Sequence, residues 1–130
     1  MSQNSPHIQI MSVSVDAKSA ASTTMDITEN NGKRFVPLFV VAELTATSLI
    51  TVGPSFSIGT NSTAFDNIMA ITATGITATN AILNKLALGN GAAGTNTLSI
   101  AANTTVTLKV TTGAVGTSGT LRVDLIGYYL

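Results

Sequence analysis

The sequence predicts an all-β fold: an antiparallel, jelly-roll-like β-sandwich of about eight strands with one short helical or irregular segment. Three observations predict it. Apolar and polar residues alternate with period two in run after run, Gly, Asn and Ser separate the runs, and threonine stands where the outer face of a sheet would otherwise carry charge. Strict alternation puts successive side chains on opposite faces of a strand, and short runs divided by turn signals mark a sandwich or barrel. The β-branched threonine suits a pleated surface, and its hydroxyl tolerates water or a polar neighbour.

The N-terminal run changes phase, with Ile8 and Ile10 on one parity and Met11, Val13 and Val15 on the other, which predicts a strand with a bulge. Thr23 to Thr28 reads as a short strand closed by the turn Asn30-Asn31-Gly32. Residues 35–45 form the most apolar run: Phe35, Pro37, Phe39 and Val41 on one parity and Val36, Leu38, Val40 and Ala42 on the other. An antiparallel sandwich strand normally wets one face, so the second face is expected against a neighbouring subunit or a covering loop. Pro37 cannot donate to a ladder and argues for an edge position or a bulge. Further strands follow at 55–59, 68–73, 97–101, 104–110 and 120–129, with Phe56/Ile58, Leu98/Ile100, Val106/Leu108/Val110 and Leu121/Val123/Leu125 pointing inward. Within Ile76 to Leu88, Ile82, Leu83, Leu86 and Ala87 fit a short helix and Ile82, Leu86 and Leu88 fit a strand; the helical or irregular reading is preferred. Gly113 to Gly119 reads as a hairpin loop before the last strand. The whole is one domain, with residues 1–30 as an N-terminal arm and first strands and 31–130 as the sandwich.

Composition turns this fold into a statement about assembly. Only 9% of the 130 residues are charged, and the mean hydropathy is +0.42. A monomer of 13.2 kDa exposes roughly 6,400 Å², and a soluble surface devotes about 25–35% of its positions to charge. The deficit is resolved if copies of the chain, or a larger assembly, cover much of that surface. Zero formal net charge gives no basic field for nucleic acid. Uncharged stretches such as 44–65 are interrupted by Thr, Ser, Gly53, Pro54 and Gly59 and do not read as membrane spans. Residues 1–7 have neither a basic nor an apolar signal region, so no cleaved secretory signal is expected. The absence of cysteine removes disulfides and thiolate chemistry.

Candidate chemistry is sparse, and no catalytic, cofactor-binding or metal residue is assigned. Gly89-Asn90-Gly91-Ala92-Ala93-Gly94 matches the dinucleotide fingerprint in letters, but a strand-like run follows where a helix N-terminus is needed, and the next acid is Asp124. The single histidine, His7, builds neither a triad nor a paired-histidine metal site. Asp26 and Glu29 lack the spacing of a calcium loop. Asp66-Asn67 reads as a turn cap, and Asn61-Ser62-Thr63 and Asn103-Thr104-Thr105 are formal glycosylation sequons without a secretory context. Enzymatic activity is therefore not expected.

Three segments carry a resemblance: Arg34-Phe35-Val36-Pro37 opening an apolar strand, Phe56-Ser57-Ile58-Gly59-Thr60 before Asp66-Asn67, and Leu121-Arg122-Val123-Asp124-Leu125-Ile126-Gly127-Tyr128 near the end. In the order and style of these segments, residues 34–130 resemble tailed-bacteriophage capsid decoration proteins, also called cement or head-knob proteins. The resemblance implies a homotrimer on the outer surface of the virion head, made in the host cytoplasm, that binds the major capsid protein and stabilises the shell. It also implies an anchoring arm that includes Ser2, Gln3, His7 and Ile8. Intersubunit packing is expected from Phe35, Val36, Leu38, Phe39, Val40, Tyr128, Tyr129 and Leu130. The competing reading is a receptor-binding or fibre-tip module that uses loops 89–95 and 113–119, or a neck-collar subunit of the tail.

Overall fold

A computed structural model of the chain describes residues 8–25, 32–45, 49–77, 81–86, 88 and 99–130. Ten strands are present among them: β1 (Ile8–Asp16), β2 (Ser22–Met25), β3 (Phe35–Thr45), β4 (Ile50–Val52), β5 (Ser55–Gly59), β6 (Met69–Ala73), β7 (Ala81–Leu86), β8 (Val106–Thr112), β9 (Val115–Gly116) and β10 (Thr120–Tyr129). Eight of them build two four-stranded antiparallel sheets, ordered β1-β10-β3-β7 and β2-β8-β5-β6, while β4 and β9 form a two-stranded ribbon. Successive strands mostly change sheets, and the first and last strands of the chain lie side by side. This order makes the sandwich jelly-roll-like.

The alternating runs do what their period requires. Met11, Val40, Ala42, Leu44, Leu121, Val123 and Leu125 from one sheet meet Met25, Phe56, Ile58, Met69, Val106, Leu108 and Val110 from the other in a single buried core. Phe35 is fully buried at one end of it, with the Tyr129 ring edge-on at 5.5 Å.

Four expectations change. The N-terminal strand has no bulge, since Ile8 to Asp16 pair with Tyr128 to Thr120 without a break in register. Met11 faces the core while Ile8 and Ile10 stay outside, 61% and 59% exposed. The irregularity sits instead at Pro37 and Leu38, where the register of β3 against β10 skips one residue between Phe39↔Ile126 and Pro37↔Gly127. That is the bulge Pro37 suggested, on a strand flanked by β10 and β7 and not at an edge. Gly127 permits it, because a Cβ there would lie 2.1 Å from the Val36 carbonyl oxygen.

Residues 81–86 are strand, not helix, paired with β3 through Val40↔Leu86 and Leu44↔Ala81, and no helix occurs among the described residues. Pairing to an existing strand overrides the local 3.6-residue pattern. The 113–119 segment is no hairpin loop, because β8 and β10 belong to different sheets; it carries β9, which pairs with β4. Ile100 makes an isolated bridge to Phe35, and residues 99 and 101 beside it are not strand. Leu98, residues 26–31 and 89–98, and with them Asp26, Glu29 and the glycine-rich Gly89 to Gly94, lie outside the described residues.

Candidate interaction surface

The outer face of the β1-β10-β3 sheet can be read row by row from its register. Ile8 lies beside Tyr128 and Val36, and Ile10 beside Ile126 and Phe39. Next come Ser12, Asp124 and Val41, then Ser14, Arg122 and Glu43, then Asp16, Thr120 and Thr45. One end of the face is therefore apolar and the other polar. Leu38, extruded by the bulge, is 46% exposed at the apolar end. Asp124 marks the boundary: it accepts a hydrogen bond from the Ser12 hydroxyl at 2.5 Å and pairs with the Arg122 guanidinium at 3.2 Å. These are surface contacts worth little in stability. They fix the polar half of the face.

The opposite sheet treats its outer face differently. Ser57, Gly59, Thr107 and Lys109 share that face by register, yet Ser57 is fully buried and Thr107 nearly so. The connection from Thr60 to Asn67 lies over them. Gly59 lets it approach, because a Cβ there would sit 2.4 Å from the Phe65 carbonyl carbon and 2.6 Å from the side-chain oxygens of Asn61 and Asn67. Two asparagines clasp the loop. The Asn67 Oδ1 accepts from the Thr60 amide at 2.7 Å, its Nδ2 donates to the Thr60 hydroxyl at 2.9 Å, and the Asn61 Oδ1 accepts from the Asp66 amide at 2.9 Å. The Asn61 Nδ2 donates to Asp66 at 2.8 Å, Lys109 Nζ donates to the Thr63 carbonyl at 2.7 Å, and the Ser57 hydroxyl donates to that of Ala64 at 3.3 Å. Thr63 and Phe65 hold positive φ angles of 76° and 50° to make this path.

The residues expected to pack between subunits divide into two groups. Phe35 and Val40 are completely covered by their own chain, so their side chains serve the core. Val36, Leu38, Phe39 and Tyr128 lie on the outer face, with Val36, Phe39 and Tyr128 half-buried. Tyr129 packs on the core rim. Leu130 is 72% exposed, held by its amide donating to the Arg34 carbonyl at 2.8 Å. Of the expected anchoring arm, Ser2, Gln3 and His7 lie outside the described residues, and Ile8 opens β1 as part of the sheet. Sequence reading missed Ile10 as a member of the same face, although its parity with Ile8 was visible.

Among the described residues no three His, Cys, Asp or Glu side chains come together, and no helix is long and apolar enough to cross a membrane. An open hollow beside Asp16, Thr45 and Ser118 at the polar end holds a single carboxylate.

No family model matches the chain, and no curated protein matches it. Among solved structures it is similar to a chain described as "Cyanophage Pam1 capsid asymmetric unit", with a TM-score of 0.55 and 17% sequence identity over 98% of this chain and 89% of that chain. At that identity the likeness concerns the fold.

Proposed function

We propose that this chain is a structural protein of a bacteriophage virion, a capsid decoration or cement protein that seats on the outer head shell as a homo-oligomer. The observation that carries the reading is the apolar half of the β1-β10-β3 face, which no described segment covers, on a chain with 9% charged residues. A sandwich similar in fold to a chain of a phage capsid asymmetric unit adds support. The role is mechanical, with no catalytic step. Contacts available only on the mature shell, made chiefly with the major capsid protein, stabilise that state by mass action. Many equivalent copies then add avidity without strong individual contacts. The resemblance implies three copies per assembly.

Electron microscopy of intact particles tests the reading by locating and counting the subunit. Hundreds of copies on the head are expected. Tens of copies at the neck or a fibre tip would assign it to the tail instead, and absence from the particle would remove the virion role.

A further inference from the structure

The sandwich has four edge strands: β1 and β7 on one sheet, β2 and β6 on the other. An edge strand offers a row of unpaired N–H and C=O groups to any other strand, and proteins blunt such edges with short length, Lys, Pro or register breaks. Three of the four are blunted. β2 has only 4 residues. β6 has 5 residues and a register break against β5, and β7 contains Lys85 and breaks register against β3. β1 has none of these devices. It runs for 9 residues in unbroken register, and Ile8 to Val15 include no charge and no proline. Among the described residues its only sheet partner is β10.

We infer that β1 is the pairing edge for a second copy of this chain, the two β1 strands running antiparallel about a two-fold axis at Ile10. The choice of occupant rests on what this chain itself can supply. An open strand edge is a template for another strand, and the one long unguarded strand among the described residues is β1 itself, whose Ile8–Ser12 align with the same five residues of the copy. Centring on Ile10 sets Ile10 against its copy and Ile8 against Ser12, with the outer faces of both sheets on the same side. The two apolar half-faces then join across the axis into one larger face, in which Ile8 and Ile10, 61% and 59% exposed in the monomer, gain side-by-side neighbours from the copy. Charge permits the register as well. Asp16, the strand's single charged residue, lies about 40 Å from its copy at roughly 3.4 Å per residue, beyond several screening lengths. Two-fold pairing makes the solution species a dimer or an even-numbered assembly, in place of the implied trimer.

The sequence has no cysteine, so single-cysteine variants report the contact directly. Under mild oxidation of the full chain, Ile10→Cys is expected to migrate mostly as a covalent dimer. Ser14→Cys, about 27 Å from its copy in this register and far outside disulfide reach, should give at least tenfold less. Ile10→Lys, a change at an exposed position, should keep the far-ultraviolet spectrum and halve the mass measured by light scattering. Equal cross-linking of I10C and S14C, a trimer in which I10C fails to cross-link, or a wild-type chain monomeric at high micromolar concentration would each overturn the pairing. So would cross-linking of I10C to a shell protein instead of to itself. None of these results bears on whether the subunit is found on the virion, which particle imaging decides separately.

Discussion

The two sheets of this sandwich finish their outer faces in opposite ways. The β2-β8-β5-β6 sheet is roofed by its own loop, clasped by Asn61 and Asn67 and tied down by Lys109. Among the described residues the β1-β10-β3 sheet receives no such cover, and it presents Ile8, Ile10, Leu38 and Tyr128 on one half of its face. A face closed within the chain needs polar contacts to hold the covering backbone, because loop amides placed on a sheet must find partners. A face left for another molecule needs only apolar area and a rim that keeps its register. The difference predicts that changes on the roofed side alter folding, while changes on the open side alter association.

The largest effect separates neighbouring positions of one strand. Val40 is fully buried and Leu38 is 46% exposed. Val40→Asp places an unpaired charge in the core and is expected to cost about 4 kcal/mol or more, enough to unfold the chain. Leu38→Asp should change unfolding free energy by no more than about 0.5 kcal/mol and act on association alone. Circular dichroism with denaturant titration distinguishes the two. If both variants unfold, Leu38 is not on an open face and the comparison between the sheets collapses.

On the roofed side, Gly59→Ala pushes a methyl group into the backbone of Phe65 and the oxygens of Asn61 and Asn67, all within 2.6 Å of the added atom. The neighbours are backbone and clasped side chains that cannot swing away, so the loop must lift. A loss of about 2–3 kcal/mol is expected, with faster hydrogen exchange at the Thr60 and Asn61 amides. Unchanged exchange would mean that the loop does not rest on the sheet. Asn67→Ala removes the acceptor for the Thr60 amide and the donor to its hydroxyl. Exchange at Thr60 should rise again, at a cost of about 1–2 kcal/mol.

How far the sequence revealed this contrast depends on the range of the interactions involved. Val106, Leu108 and Val110, and likewise Leu121, Val123 and Leu125, reach the core as their alternation requires, because strand periodicity is a local property. Ile8 and Ile10 misled for the same reason: their change of parity looked like a bulge on the assumption that apolar residues turn inward. In the structure they keep parity with Ser12 and Ser14 on the outside. The doubly apolar run from Phe35 to Ala42 offered a loop or a subunit as its second cover, and no described loop lies on it. Asp66-Asn67 was legible as a turn cap. Its partner Asn61 and the roofing of Ser57 and Thr107 were not, because no local pattern records which face a loop will cross. The strand at 81–86 was hidden likewise, since β3 supplies its register from far along the chain.

The smallest expected effect has the opposite sign and tests whether the roof is held under strain. Thr63 is exposed and β-branched, yet it adopts a φ of 76°, a region that β-branched residues avoid. What it contributes to the roof is its carbonyl, which accepts from Lys109 at 2.7 Å, and any residue supplies a carbonyl. Thr63→Gly keeps that bond and relieves a backbone cost of roughly 1–3 kcal/mol, against about 0.5–1 kcal/mol of extra chain entropy lost on folding. A net gain of about 0.5 kcal/mol is expected, read as a higher denaturation midpoint at unchanged slope. A lower midpoint would mean that the threonine side chain itself braces the loop. The roof would then depend on side-chain contacts at Thr63 as well as on the asparagine clasp, while among the described residues the open face across the sandwich has no comparable brace at Leu38 or Ile10.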